Sequence, residues 1–439
     1  MNTRLLHLLT WVCLSAPTSI WAAPPLTAME DLGRQIFFDT NLSEPAGEAC
    51  AGCHAPAAAF TDPRRATPTS PGVISGRFGN RNSPTAMYMK FSPSLHYDSV
   101  NGYSGGLFYD GRAADLEAQA QGPFLNSLEM NNPNKAAVVS KVANASYANL
   151  FRQVFGSTAL DDTDQAYLKI ATAIANFERT TAFAPFSSKY DAYLAGRATL
   201  TAAEQRGLAL YVNPAKGNCA ACHSSSSPQP GTPPLFTDFG YDNLGVPRNP
   251  ANPYYTLPVE FNPYGYGFVD LGLGNTVGST LENGNIKTPT LRNIALTSPY
   301  MHNGYFATLR GVVDFYNTRD IKSACANPLT SESQALLQNC WPEPEVVENV
   351  NHDELGNLGL GSGDVNDIVT FLHTLTDGYG DIDHDGDVDN NDLAAILAAK
   401  NQSANGPDDS RDLNADGKID LLDARKLALL CTRPLCATQ

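Results

Sequence analysis

The run Cys50-Ala51-Gly52-Cys53-His54 constrains this chain more than any other stretch. Two thiols three positions apart, followed at once by an imidazole, form the pattern by which a c-type haem is attached. The sulfurs add to the two vinyl groups and fix the macrocycle, and the adjoining His is held beneath the iron as an axial ligand. The pattern recurs as Cys219-Ala220-Ala221-Cys222-His223. A zinc or disulfide Cys-x-x-Cys with an incidental His explains one such run poorly and two hardly at all. Two covalently bound c-type haems are expected, with His54 and His223 as iron ligands.

At 439 residues the chain is long enough for two or three domains. Met1 to Ala23 reads as a secretory signal. Arg4 supplies the positive end, Leu5 to Leu14 an apolar run too short to span a membrane, and Ala22-Ala23 a cleavage site. Cys13 lacks the small residue that precedes a lipidated Cys. Export implies a periplasmic, cell-surface or secreted protein. Of nine cysteines, Cys13 leaves with the signal and four go to haem. Cys325 with Cys340, and Cys431 with Cys436, are then expected as disulfides. A net charge of -16 argues against nucleic acid as a partner.

Apolar spacing predicts a mainly α protein. A short helix covers 32–39. Others follow at 115–121, 133–155 and 163–182. Thr201 and Glu204 form a capping-box pattern that opens a helix leading into the second haem motif. Further helices are expected at 308–316 and 365–375. Between them lie long stretches rich in Pro, Gly, Ser and Asn, at 55–109 and 224–285, which suit loops wrapped over a cofactor. Cys325 to Cys340 reads as a surface insertion. Each half shows helix, haem motif, loop and more helix, the layout of a cytochrome c domain. The expected organisation is a signal at 1–23, a first cytochrome c-like domain at 24–190, a second at 191–376 and a small α-helical module at 377–439.

That module carries thirteen Asp against six Lys or Arg, a net of about -7. Asp381, Asp383, Asp385, Asp387, Asp389 and Asp392 stand at positions 1, 3, 5, 7, 9 and 12 of an EF-hand calcium loop, with Gly386 at the sharp turn. Asp412, Asn414, Asp416, Lys418, Asp420 and Asp423 repeat the loop 31 residues later, Lys418 giving only its carbonyl. A helical apolar run follows each loop. The pair resembles a dockerin-like module, which implies two Ca2+ sites and a cohesin-like or other surface partner.

Residues 30–376 resemble the bacterial di-haem cytochrome c peroxidases and their relative MauG. The resemblance rests on the two haem motifs and on several further blocks. These are Arg81-Asn82-Ser83-Pro84-Thr85, Asp110-Gly111-Arg112-Ala113, Gln119 through Gly122-Pro123 to Glu129-Met130, and Phe177-Glu178-Arg179-Thr180. Thr288 to Asn293 and Pro299 to Gly304 complete the set. It implies two cytochrome c-like domains, a first haem that meets hydrogen peroxide and a second that handles electrons. Gln119, Glu129 and Pro123 would lie over the first haem. Asn82, with the carbonyls of Thr297 and Pro299, would hold a Ca2+ between the haems. Tyr316 would be the second axial ligand of the second haem, with Met301 and His302 as alternatives. Of these residues Glu129 is the one suited to acid–base work, because a carboxyl in a dry pocket has its pKa raised towards neutral.

Two departures matter. Many family members place a His shortly after the first haem motif, on the peroxide face. Here no His lies between His54 and His96, so the first haem is expected to be five-coordinate; a reach from His96 to that iron is the alternative. Tyr109 stands where the family usually has a Trp between the haems. A Tyr ligand at 316 would favour stabilising oxidised iron over accepting electrons. The leading function is peroxide reduction with electrons from a small cytochrome c or copper protein. The alternatives are MauG-like oxidation of residues in a partner protein, and a non-catalytic electron-transfer cytochrome. The sequence neither requires nor excludes a homodimer.

Overall fold

The computed structural model describes residues 25–385, 387–406, 409–414, 416–431 and 434–438. The expected signal, Cys13 and Gly386 lie outside them. Residues 26–379 form one compact unit, and the tail from Gly380 belongs to another.

Within residues 26–379 one arrangement occurs twice. The first leading helix, Ala28–Phe37, starts at a capping box in which the Thr27 side chain accepts from the Glu30 N–H and Glu30 reaches back. Leu32, Gly33, Ile36 and Phe37 lie buried on one stripe. That stripe packs on a closing helix, Thr163–Glu178. In the second half the leading helix is Ala202–Val212, opened by the expected Thr201–Glu204 box, and the closing helix is Ser362–His373. A glycine sits at each crossing. A Cβ on Gly33 would come closer than 3.0 Å to the Ala173 carbonyl, and one on Gly207 equally close to that of Asp367. A distal helix packs on each closing helix, Leu116–Leu125 in the first half and Leu309–Thr318 in the second. Asp115 and Thr308 cap them, accepting from Ala118 N at 2.8 Å and Gly311 N at 3.0 Å.

Each half has its own aromatic core. Phe37, Phe60, Phe177 and Phe183 cluster in the first, and Tyr190, Tyr211, Phe236 and Phe371 in the second. Strand structure among the described residues is confined to two-stranded pieces.

Several expectations change. The single helix at 133–155 is two, Lys135–Ala143 and Ala148–Phe155. Asn144 folds back on the Ser140 carbonyl, and Tyr147 turns inward to give its hydroxyl to Asp39 at 2.6 Å. The segment closed by the Cys325–Cys340 disulfide is not merely a surface insertion. Both cysteines and Trp341 are buried in the second core, and Trp341 Nε1 donates to Thr318 Oγ1 at 2.9 Å. Cys431 and Cys436 are also bonded.

In the tail, the helices Asn390–Ala398 and Leu421–Ala428 each follow an acidic loop. Corresponding carboxylates make corresponding bonds. Asp392 Oδ2 accepts from Asp389 N at 2.7 Å, and Asp423 Oδ2 from Asp420 N at 2.8 Å. Asp381 Oδ1 accepts from Asp385 N, and Asp412 Oδ1 from Asp416 N, at 3.1 and 3.2 Å.

Because the glycine crossings leave no room for a methyl group, Gly207→Ala should cost about 1–3 kcal/mol. Denaturant unfolding of the haem-loaded protein measures this; an unchanged midpoint would show that the helices can move apart freely.

Candidate functional site

Cys50–Cys53 form one helical turn, and His54 follows with its N–H on the Cys50 carbonyl. The ring is set by its other nitrogen: His54 Nδ1 lies 2.9 Å from the Phe60 carbonyl oxygen. In the second half His223 Nδ1 lies 3.0 Å from the Phe236 carbonyl. Both phenylalanines have φ of 53°, which turns the carbonyl back toward the ring. Thr85 Oγ1 and Thr290 Oγ1 each donate, at 2.6 Å, to the carbonyl of the residue before that phenylalanine, Ala59 with its neighbour Phe60 and Leu235 with Phe236. Nε2 of each ring is thereby left for a metal. Burial pushes both imidazoles below the usual range, which keeps them neutral.

Each histidine opens on a cavity. The first encloses about 1580 Å³, including its mouth, and is lined by Cys50, Cys53, His54, Gln119, Pro123 and Glu129. The second encloses about 1680 Å³ and is lined by Cys219, Cys222, His223, Met301 and Tyr316 among others. Tyr109 and Asn82 line both. Two disulfides form elsewhere, yet the four thiols at these cavities remain unpaired. The buried Nε2 of His302, on the wall of the second cavity, has no hydrogen-bond partner in the protein. Paired free thiols, a neutral imidazole and a large apolar-walled space fit a covalently bound haem in each cavity.

The distal helices decide what faces each histidine. Leu107 N–H donates to the Ala113 carbonyl at 2.7 Å, and Tyr300 N–H to that of Phe306, also at 2.7 Å. The helix caps Asp115 and Thr308 follow two residues after each of these bridges. Both pairs of positions differ by 193 (300 against 107, 308 against 115). At that offset Pro123 corresponds to Tyr316. One helix therefore presents a ring with no donor atom, and the other presents a phenol. Tyr316 Oη lies 4.0 Å from Met301 Sδ, so the two share one region of the cavity. His96 lies on an exposed hairpin, His96–Asp98 with Gly102–Ser104, and lines neither cavity. The alternative that His96 reaches the first iron does not hold in this fold.

Gln119 and Pro123 stand four apart, on one face of the distal helix. Glu129 follows in a turn, its N–H on the Asn126 carbonyl at 3.0 Å and its carbonyl accepting from Val73 N at 2.8 Å. Burial pushes the Glu129 carboxyl up, partly offset by the charge of Arg112 and a bond from Asn126. Asn82 Nδ2 donates to the Pro299 carbonyl at 2.8 Å, and Thr297 lines the same cavity, so these three residues come together.

A family model described as di-haem cytochrome c peroxidase matches residues 27–199. The chain is 38% identical over 372 residues to the methylamine utilization protein MauG of Paracoccus denitrificans, across 83% of this chain and 92% of that protein. It is 31% identical to cytochrome c551 peroxidase of Nitrosomonas europaea, across 66% of this chain and 73% of that protein. The crystal structure of the diheme peroxidase BthA from Burkholderia thailandensis superposes with a TM-score of 0.67 at 36% identity, covering 81% of this chain and 87% of that one. The chain belongs to the di-haem cytochrome c peroxidase family. It is an oxidoreductase acting on peroxide, and its two Cys-x-x-Cys-His motifs carry two haems.

Three features of this peroxidase escaped the sequence reading. Glu178, at the buried end of the closing helix, lines the first cavity, and burial pushes it up to about 8. Its neighbours Phe177, Arg179 and Thr180 give no local signal of that role. Lys287 lies buried between the cavities, its ammonium on Ser92 Oγ at 2.7 Å and the Gly106 carbonyl at 2.6 Å, and burial pushes it down to about 7. Arg81 binds Asp270 through Nε at 2.6 Å and Nη2 at 2.7 Å, and Asp110 through Nη1 at 2.8 Å. Burial alone would raise the Asp270 carboxyl, but the charge and hydrogen bonds of Arg81 hold it well below the usual range. This network ties the loop before the first distal helix to the second half.

Removing one partner of such a pair strands the other charge. Asp270→Asn should destabilise the peroxidase by about 3–5 kcal/mol. Urea unfolding of wild type and variant measures the difference; a loss below about 1 kcal/mol, the worth of an exposed pair, would mean the network is well solvated.

Proposed function

We propose that this peroxidase reduces hydrogen peroxide to water at a first haem whose distal face is open from the start. Electrons enter through the second haem from a small cytochrome c or copper protein. The correspondence of Pro123 with Tyr316 carries this reading. The two halves share one frame, and at this position only the second offers a donor atom, so His223 and Tyr316 would hold the second iron, while His54 would hold the first and Gln119 and Glu129 would face peroxide rather than the metal.

When bound, the haem iron supplies a Lewis-acidic centre and the electrons that break the O–O bond. Glu129 takes the proton from the near oxygen of peroxide and returns it to the far oxygen, which leaves as water. Gln119 cannot titrate and orients the peroxide by hydrogen bonds. Tyr109, lining both cavities, is the natural stepping point for electrons between them. Its burial pushes the phenol up, so its oxidation is tied to loss of its proton. MauG-like oxidation of a partner protein remains the second reading, favoured by the 38% identity to MauG and by Tyr316. Steady peroxide turnover with reduced cytochrome c separates the two.

The carbonyl oxygens of Thr297 and Pro299, with Asn82 Oδ1 once its amide turns over from the Pro299 carbonyl to which it donates, suit a hard cation, and we assign them an inter-haem Ca2+. The two acidic loops of the tail suit Ca2+ likewise. Asp381, Asp383 and Asp392 bring one ligand atom each within 4.8 Å of one another, as do Asp385, Asp387 and Asp389. The tail is read as a dockerin-like module that docks to a cohesin-like surface partner. No helix among the described residues is long and apolar enough to cross a membrane. The expected signal, outside those residues, would place the enzyme in the periplasm or at the cell surface.

Glu129→Gln should lower kcat/KM for peroxide about 10²–10⁴-fold. Because burial raises the Glu129 pKa, wild-type kcat/KM should fall as pH drops through a value above the ordinary 4.5, and the variant should lose that dependence. Activity within a few-fold of wild type would remove Glu129 from the role. Ca2+ added to chelated protein should raise the unfolding temperature of the tail transition, and Asp392→Asn with Asp423→Asn should abolish the rise; an equal rise in that variant would exclude the acidic loops.

A further inference from the structure

Residues 253–269 form a loop rich in tyrosine and phenylalanine that peroxide chemistry at the first cavity does not use. Tyr255 within it is 3% exposed, and its hydroxyl donates to Glu345 Oε1 at 3.3 Å. Glu345 lines the second haem cavity, and its side chain is 4% exposed. The Tyr255 ring stacks on that of Tyr266, with centroids 6.0 Å apart and planes 25° apart. Tyr266 is 56% exposed. Arg248 binds the three together. Its guanidinium lies 5.1 Å over the Tyr255 ring and 3.5 Å from Glu345 Oε1, and it donates to the Tyr266 carbonyl. A cavity wall, a buried phenol with its own carboxylate, and an exposed phenol thus stand in sequence.

Packing alone does not require this arrangement. A buried tyrosine hydroxyl needs one partner, and a backbone carbonyl is the cheaper choice. Here the partner is an ionisable group that burial pushes up to about 7, against the lowering charge of Arg248. An oxidised phenol is strongly acidic, and the Arg248 charge over the ring disfavours a cationic ring. The electron can leave Tyr255 readily only if the proton leaves with it.

We propose that Tyr255 and Tyr266 relay one oxidising equivalent at a time from the second haem cavity to the surface, where Tyr266 oxidises an electron-rich phenol too large to enter either cavity. The proposal rests on the peroxidase activity, which supplies peroxide as the two-electron oxidant. With haem bound and peroxide as the oxidant, Tyr255 would give up one electron toward the second cavity as its Oη–H proton passes to Glu345. The Tyr255 radical then takes an electron from Tyr266 and recovers the proton from Glu345, while the Tyr266 proton leaves to solvent. The surface phenol gives Tyr266 an electron and a proton and becomes a phenoxyl radical. Two such cycles match one peroxide.

The test adds peroxide to the haem-loaded full-length chain with a nitroso spin trap. Rapid-freeze electron paramagnetic resonance, peptide mass spectrometry and peroxide consumption are then read from the same sample. A tyrosyl radical and a trap adduct on Tyr266 are expected. Tyr255→Phe, which keeps the stacked ring, should reduce that adduct about tenfold or more, and Glu345→Gln should slow radical formation and remove its pH dependence. Tyr264→Phe, at a neighbouring residue 71% exposed, should leave the adduct in place. Haem absorption and unfolding temperature establish that each variant is folded. Full adduct on Tyr266 in Tyr255→Phe would overturn the relay. So would peroxide consumption by the wild type with no tyrosyl radical, a result that leaves the peroxidase activity standing.

Discussion

One hydrogen bond, made twice, underlies the rest of the site. In each half a histidine Nδ1 is held by the carbonyl of a phenylalanine with positive φ, at 2.9 Å for His54 and 3.0 Å for His223. It fixes the tautomer, the ring plane and the direction of Nε2. A neutral ligand is secured before any metal arrives, and burial reinforces it. The threonine that ties down the neighbouring carbonyl, Thr85 or Thr290, lies on the loop that also walls the cavity. Ligand orientation and cavity shape are thereby set by the same few backbone groups.

From that shared frame the halves diverge at single positions. The leading helix crosses the closing helix at a glycine in both, and a capped distal helix passes over the cavity in both. Pro123 and Tyr316 then fall at one register position with opposite chemistry. A proline ring has nothing to give a metal, whereas a phenol has. The loops before the distal helices differ in the same manner. Tyr109 and His302 correspond at the same offset, and only Tyr109 lines both cavities.

Local chemistry was legible in the sequence and tertiary partnership was not. The two haem motifs, the Thr201–Glu204 capping box and the Cys325–Cys340 disulfide depend on near neighbours or on elimination, and each could be read directly. Arg81 and Asp270 are 189 residues apart, and no local pattern pairs them. Glu178 looks like an ordinary helix-end carboxylate until its burial at the first cavity is seen. The break at Asn144 followed from a tertiary demand, the bond of Tyr147 to Asp39, which periodicity cannot report. The distance of His96 from the first cavity is likewise a property of the loop path, since its place in the sequence left a reach to the iron open. The Pro123–Tyr316 correspondence lay latent as an offset of 193, since the two residues are unlike in type; the paired bridges at Leu107 and Tyr300 and the caps Asp115 and Thr308 reveal it.

The proposed mechanism requires one haem to be open and the other closed in the resting oxidised enzyme. Electron paramagnetic resonance of the fully oxidised protein, with resonance Raman excitation into a tyrosinate-to-iron band, reads both sites at once. One high-spin five-coordinate haem and one six-coordinate haem with tyrosinate modes that vanish in Tyr316→Phe are expected. Two six-coordinate low-spin haems, with no tyrosinate signature, would contradict it.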